Sequence, residues 1–265
     1  MRVAKTITAA LLAVGLVTAA PAAAHGGGGP GHRGAQAGSQ YGGKVSSTIK
    51  TRIKRANRSL DRAGDYVDDG KGSSAAASLK SVNSNLTAAE KAAKRSLTGD
   101  NGPANAGAVL DADDNAIAEL IGLFDGADDD TTAAVATGLD GVITQRDDLV
   151  AAIAALTADQ QADYYDVLDD LNDSLADELD AIDQALADDT LTQAGADALN
   201  SAKTKITATQ TTVKGLTDAL DAADTGSAQN ASDDSSDDNA DCPGGGRQGD
   251  RGPRNGGDTS GDQST

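Results

Sequence analysis

The residues of this chain most suited to chemistry are carboxylates. The stretch DYYDVLDDLNDSLADELDAIDQALADD, residues 163–189, holds ten aspartates and one glutamate with no lysine or arginine. Carboxylates at that density can serve two kinds of chemistry, ligation of hard cations and general acid–base transfer. At 100° per residue, with Tyr164 set at 0°, Leu168, Leu171, Leu175, Leu179, Ile182 and Leu186 fall between about −20° and +60°. Asp163, Asp166, Asp169, Asp170, Asp173, Asp177, Asp180 and Asp183 fall between about 100° and 260°. The two sets do not overlap, so the spacing predicts a helix with leucines toward a core and aspartates toward solvent or a partner. A convex helix face supplies neither the burial nor the cleft that shifts the pKa of a catalytic acid. About eight like-charged pairs at i,i+3 or i,i+4 cost roughly 2–4 kcal/mol together. Leucine burial, cations in the medium or a basic segment must offset that cost.

Three loops bear on calcium. DADDNAIAELIG, residues 111–122, places Asp111, Asp113 and Asn115 at positions 1, 3 and 5 of a calcium loop. It then has Ala116 where the turn needs Gly and Gly122 where a bidentate Glu belongs. DYVDDGKGSSAA, residues 65–76, keeps Asp65, Asp69 and Gly70 but has Val67 at position 3 and no closing acid. Both are read as helix starts and stops. In DGADDDTT, residues 125–132, the cluster Asp125, Asp128, Asp129 and Asp130 is read as helix capping by aspartate near Thr131, with weak cation binding as the alternative.

The two histidines, His25 and His32, both precede residue 43, and the single cysteine is Cys242 in DDNADCPGGG. Between them no Ser/His/Asp triad, cysteine nucleophile or histidine metal site can be assembled. His25 would head the chain after cleavage of a leader, where its amine and imidazole could chelate Cu²⁺ or Ni²⁺ loosely; the linker reading is preferred. Cys242 is expected to be exposed, able to form an intermolecular disulfide or to stand as an incidental thiol. The sequence therefore assigns no catalytic, cofactor-binding or metal residue, no cofactor, and no enzymatic activity.

Basic residues are few and placed unevenly. Lys54, Arg55, Arg58 and Arg62 share one side of a helix opposite its Ile/Leu stripe, which reads as a solvated face. Arg146 falls on the apolar row 139-142-146-149-153, where it can either meet an acid of a neighbouring helix or snorkel to solvent; the second is expected. LTADQ, residues 156–160, resembles the L-T-x-x-Q motif of small helical periplasmic stress chaperones, and LTAAE, residues 86–90, is a near match. That resemblance implies an all-helical hairpin cradling unfolded clients. Thr157 with Gln160 is also a capping box.

The elements that must position these groups are helices. Six segments carry a helical period, with breaks near residues 70, 100, 127, 157 and 189. The first has Val45, Ile49, Ile53, Ala56, Leu60, Ala63 and Val67; the second Leu79, Val82, Leu86, Ala89, Ala93 and Leu97. Pro103 suits the first turn of a third, with Val109, Ile117, Leu120, Ile121 and Phe124. The fourth has Val135, Leu139, Val142, Leu149, Ile153 and Leu156, and the fifth is the acidic stretch. The sixth, Leu199, Ala202, Ile206, Thr209, Val213, Leu216 and Leu220, alternates spacings of 3 and 4 as in a coiled coil. No strand pattern is present. The fold class expected is all-α, a bundle of about six antiparallel, alanine-rich amphipathic helices with disordered ends.

Residues 1–24 read as a signal peptide: Arg2 and Lys5, an apolar run from Ile7 to Val17, and Ala22-Ala23-Ala24 before His25. Residues 25–43 form a Gly-rich leader, 44–98 a basic helical hairpin, 103–224 an acidic four-helix region, and 225–265 a polar tail too poor in apolar residues to order itself. From 41 to 99 twelve Lys/Arg stand against five Asp/Glu, a balance of +7; from 100 to 224 four stand against twenty-eight, a balance of −24. The two halves could dock on each other by charge. The net charge of −19 excludes nucleic acid as a partner of the whole chain. The expected protein is secreted or in the cell envelope, has no transmembrane segment after cleavage, and is a non-enzymatic structural or interaction protein with a solvated acidic surface. Its partner would be a protein or a cell-envelope polymer. The alternatives are an envelope stress chaperone and a weak divalent-cation-binding structural protein.

Overall fold

In the computed structural model, residues 41–230 are described, those from 224 on by their backbone alone. The signal peptide, the leader with His25 and His32, Cys242 and most of the polar tail lie outside the described residues. Every regular element among the described residues is a helix: α1 (Ser47–Asp68), α2 (Gly72–Lys94), α3 (Gly102–Gly122), α4 (Asp129–Ala154), α5 (Ala158–Ala162), α6 (Tyr165–Leu186) and α7 (Gln193–Asn230). None of these is long and apolar enough to cross a membrane. The chain divides into two units, Met1–Asp218 and Ala219–Thr265, and the architecture below is that of the first.

Local signals set the helix ends. Ser46 caps α1, its hydroxyl accepting from the Ile49 N–H at 3.3 Å. The helix stops where Gly70 takes a left-handed φ of 65° and the Lys71 N–H reaches back to the Tyr66 carbonyl at 2.8 Å. Pro103 stands in the first turn of α3. Asp128 caps α4, accepting from the Thr131 N–H at 2.8 Å and from its hydroxyl at 2.6 Å. The 163–189 stretch splits from α5 because Tyr164 turns inward: its hydroxyl donates to the Leu97 carbonyl at 2.6 Å, and the ring is buried. That turn accounts for seven helices where periodicity predicts six.

The apolar rows face inward as spaced. Ile49, Ile53, Ala56, Leu60, Ala63 and Val67 of α1 are buried, as are Leu79, Val82, Leu86, Ala89 and Ala93 of α2. Leu156, Leu179, Leu186 and Leu216 are only half-buried. The most enclosed helix is α3, which packs on α1, α2, α4 and α6. Its run Ala104-Asn105-Ala106-Gly107-Ala108-Val109-Leu110 is buried throughout, because small side chains on every side let neighbours approach from every side. The α2–α4 contact is equally close: Leu79 lies on Gly138, and the Asn83 amide occupies the space a Cβ on Gly141 would need. Farther along the chain, α7 is tied by side chains, Thr209 to Asp147 of α4 at 2.6 Å, Lys205 to Asp140 of α4 at 2.5 Å, and Lys203 to Asp183 of α6.

Candidate functional site

The polar centre of the fold lies between α3, α4 and α6, and Arg146 is at its middle. The Arg146 side chain has no exposed surface. Its Nη1 donates to Glu178 Oε2 at 2.6 Å and to Asp114 Oδ1 at 3.3 Å, and its Nε lies 3.9 Å from Asp147. The expectation that Arg146 snorkels is therefore corrected. Arg146 stands about two turns inside the C-terminal end of α4, and acids of α3 and α6 meet it inside.

The second correction concerns residues 111–122. They are neither a loop nor a helix start but the second half of α3, which stops at Gly122 and sends Asp111, Asp113 and Asp114 in three directions. Asp114 points to Arg146 and is 12% exposed. Asp113 has no exposed surface, and neither of its carboxyl oxygens has a hydrogen-bond partner. Asp111 is half-buried, with Tyr41 hydrogen-bonded to it and Oδ2 without a partner. Gly107, one turn earlier, makes this possible: the Tyr41 ring lies where a Cβ on Gly107 would be, 2.3 Å from the nearest ring carbon. Among the other polar atoms here, Glu178 Oε1, Gln145 Oε1 and Arg146 Nε and Nη2 also lack hydrogen-bond partners.

Burial controls the proton affinities. Desolvation pushes Asp111 up to about 7, with the charges of Asp114 and Asp170 adding to it. It pushes Asp113 well above the carboxylate range, reinforced by Asp114 and opposed by Arg146. Glu178 rises to about 8 by burial, against the pull of Arg146, and Asp114 is raised by burial against the same pull. Leaving a buried carboxylate without a counter-charge costs several kcal/mol or more. Holding the same group protonated at pH 7 costs only ~4 kcal/mol, about three pK units at 1.36 kcal/mol each. Neutralisation wins for Asp113, so the centre holds carboxylic acids around one arginine–carboxylate contact.

The acids singled out in the 163–189 stretch behave differently. Asp163, Asp166, Asp169, Asp170, Asp173, Asp177, Asp180 and Asp183 are all exposed, as the wheel requires. Lys54, Arg55, Arg58 and Arg62 of α1 are exposed too. Asp65–Gly70 ends one helix, and Asp128 starts another with its carboxyl held below the usual range by the Thr131 hydroxyl and N–H. In LTADQ the Thr157 N–H donates to Gln160 Oε1 at 3.2 Å, opening α5. Among the described residues no group of three or more His, Cys, Asp or Glu side chains is arranged to hold a metal ion.

Sequence reasoning placed Asp113 only in a calcium-loop pattern and did not single out Glu178, although both carry a signal of burial. Glu178 falls near −40° on the α6 wheel, beside the leucines and away from the aspartates. Asp113 occupies the apolar row Val109-Asp113-Ile117-Leu120, at spacings of 4, 4 and 3. An acid on an apolar row is the mark of a buried one. Two cavities, of about 200 and 350 Å³, lie elsewhere; the first is lined by Ile121, Phe124 and Ala181, the second by Tyr41, Thr98 and Asp163. Neither is lined by Arg146 or by the acids that meet it, Asp114, Asp147 and Glu178. No protein-family model, curated protein or solved structure matches this chain.

Proposed function

We propose that this chain is an exported, non-enzymatic structural or interaction protein. In this reading its helices form a bundle of consecutive antiparallel members, displayed outside the cell or in the envelope, that engages basic partners through its acidic surface. The observation that carries it is the separation of two acidic populations: seven aspartates of α6 on the outside, and Asp113 and Glu178 sealed around Arg146. Asp113 and Glu178, whose proton affinity burial raises, are sealed from solvent, which suits a scaffold and not a substrate site. The accessible acids form a continuous charged face, and such faces act through long-range attraction and counter-ion exchange.

The reading is tested by fractionating cells and washing the envelope with rising salt. Recovery outside the cytoplasm, with release by salt, is expected. A variant with Asp166, Asp169, Asp173 and Asp177 changed to Asn should be released at lower salt than the parent. Protein confined to the cell interior, or retention indifferent to both salt and these substitutions, overturns the reading.

A further inference from the structure

The groups that meet at the centre are unbalanced in charge. From α3 come Asp111, Asp113 and Asp114; from α4, Arg146 and Asp147; from α6, Glu178, with Asp170 near Asp111. α2 contributes Glu90, buried and bonded to Lys94 at 2.5 Å. From α7, Thr209 bonds Asp147, while Lys205 is bonded to Asp140. α1 turns Ile49 and Ile53 inward, and its half-buried Arg52 bonds Asn85 of α2 at 3.4 Å. Tyr41 completes the ring of titratable groups through Asp111. Arg146 is the cation bonded to the acids of α3 and α6, so a fully ionised centre would set several carboxylates against one guanidinium in a medium without water to screen them.

The helix that closes the centre buries Leu168, Leu171, Leu175 and Ile182. α6 packs chiefly on α3, and the α3–α6 interface contains the cavity of about 200 Å³ lined by Ala118, Ile121, Phe124, Ala181 and Ala185. Such a helix is a candidate for opening ahead of the rest of the fold.

We propose that the α3–α4–α6 centre is a proton-loaded latch, in which α6 is held on α3 while Asp113 and Glu178 carry protons and is released when rising pH removes them. The sign follows from linkage. The folded centre binds more protons than the unfolded chain, so its contribution to stability is complete below the ordinary carboxylate range and is lost as pH climbs through the raised values, between about 4 and 8. The latch rests on burial and charge count, independently of the role proposed above.

Two measurements test it on the full chain. The first uses the unaltered protein: refolding from urea in unbuffered solution near pH 7, followed with a pH electrode. Uptake of about one to two protons per chain is expected; no uptake, or release, overturns the proposal. The second is cleavage within residues 165–186 by an acidic-residue-specific protease at pH 6 and pH 9, normalised to an unstructured peptide. The parent should become at least several-fold more susceptible at the higher pH, while Asp113→Asn with Glu178→Gln, which mimic the protonated groups, should not. Equal susceptibility of the parent at both pH values, or the same rise in the substituted protein, overturns the latch. If the substituted protein fails to fold, the proton count on the parent decides.

Discussion

Arg146 and Glu178 lie 32 positions apart in the chain and meet at 2.6 Å, the guanidinium wholly and the carboxylate almost wholly sealed from water. A pair so placed is a poor source of stability but an expensive one to break, because removing Arg146 leaves the buried Glu178 and Asp114 carboxyl groups without their donor. Arg146→Met should therefore destabilise the fold by about 3–5 kcal/mol in urea unfolding. Adding Glu178→Met should recover most of that loss, since Asp114 is 12% exposed and can turn to solvent. A double variant as unstable as the single one would show that Arg146 holds α4 by something other than charge.

The basic and acidic halves meet through apolar packing. Leu79, Val82 and Leu86 of α2 are buried, Leu79 rests on Gly138 of α4, and the ion pairs Lys71–Asp69 and Lys94–Glu90 stay within the hairpin. Raising salt should leave protease protection of residues 41–99 unchanged, and should raise the thermal midpoint by screening the −24 of residues 100–224. Leu86→Ala, in contrast, should cost about 2–5 kcal/mol. Loss of hairpin protection in salt would return the docking to electrostatics.

Periodicity made the helices legible and left the centre hidden, for one physical reason. Ile49, Leu79, Val135 and Ile206 sit on rows whose spacing requires a buried stripe, and each is buried. The same spacing placed Asp113 and Glu178 on buried rows, but residue type argues the opposite, since acids are almost never fully buried unless paired. Glu178 meets Arg146 from 32 residues away and Asp113 has no hydrogen-bond partner at all, and no local pattern reports either. The reading of residues 111–122 as helix boundaries held only at Gly122, where α3 stops: aspartates favour helix ends in isolation, whereas tertiary packing put Asp111 to Asp114 in the middle of α3. The α5–α6 break was hidden because it depends on Tyr164 finding the Leu97 carbonyl, 67 residues earlier in the chain.

The Tyr164–Leu97 bond depends on Gly102. A Cβ there would lie 2.4 Å from the Tyr164 hydroxyl, 2.6 Å from the Leu97 carbonyl oxygen and 2.9 Å from that of Ser96. Two of the three are backbone atoms that cannot swing aside. Gly102→Ala should cost about 1–3 kcal/mol, in the range of other overpacking substitutions. Tyr164→Phe leaves the ring in place and the carbonyl without this donor, for about 1–2 kcal/mol. If the bond is what the glycine serves, the two effects overlap, and the double variant should be less destabilised than their sum. Strict additivity would separate them.

The pH dependence of stability should have two limbs of opposite sign. The Asp128 carboxyl, bonded to the Thr131 N–H and hydroxyl, is held below its ordinary value. Its contribution is therefore present above the unfolded carboxylate range and is lost as pH falls through the lowered value. Asp188, bonded to the Thr190 N–H at 2.8 Å, acts in the same direction. Asp111 and Glu178, raised to about 7 and about 8, act in the other: their contribution is lost as pH rises. Thermal midpoints measured from pH 2 to 9 should pass through a maximum in the mildly acidic range, below the neutral optimum common among folded domains. Asp128→Asn keeps a capping oxygen without the charge and should flatten the acid limb alone, whereas Glu178→Gln should flatten the alkaline limb alone. A maximum at neutral pH in the parent protein, or one substitution flattening both limbs, would mean that the caps and the buried centre do not titrate as separate systems.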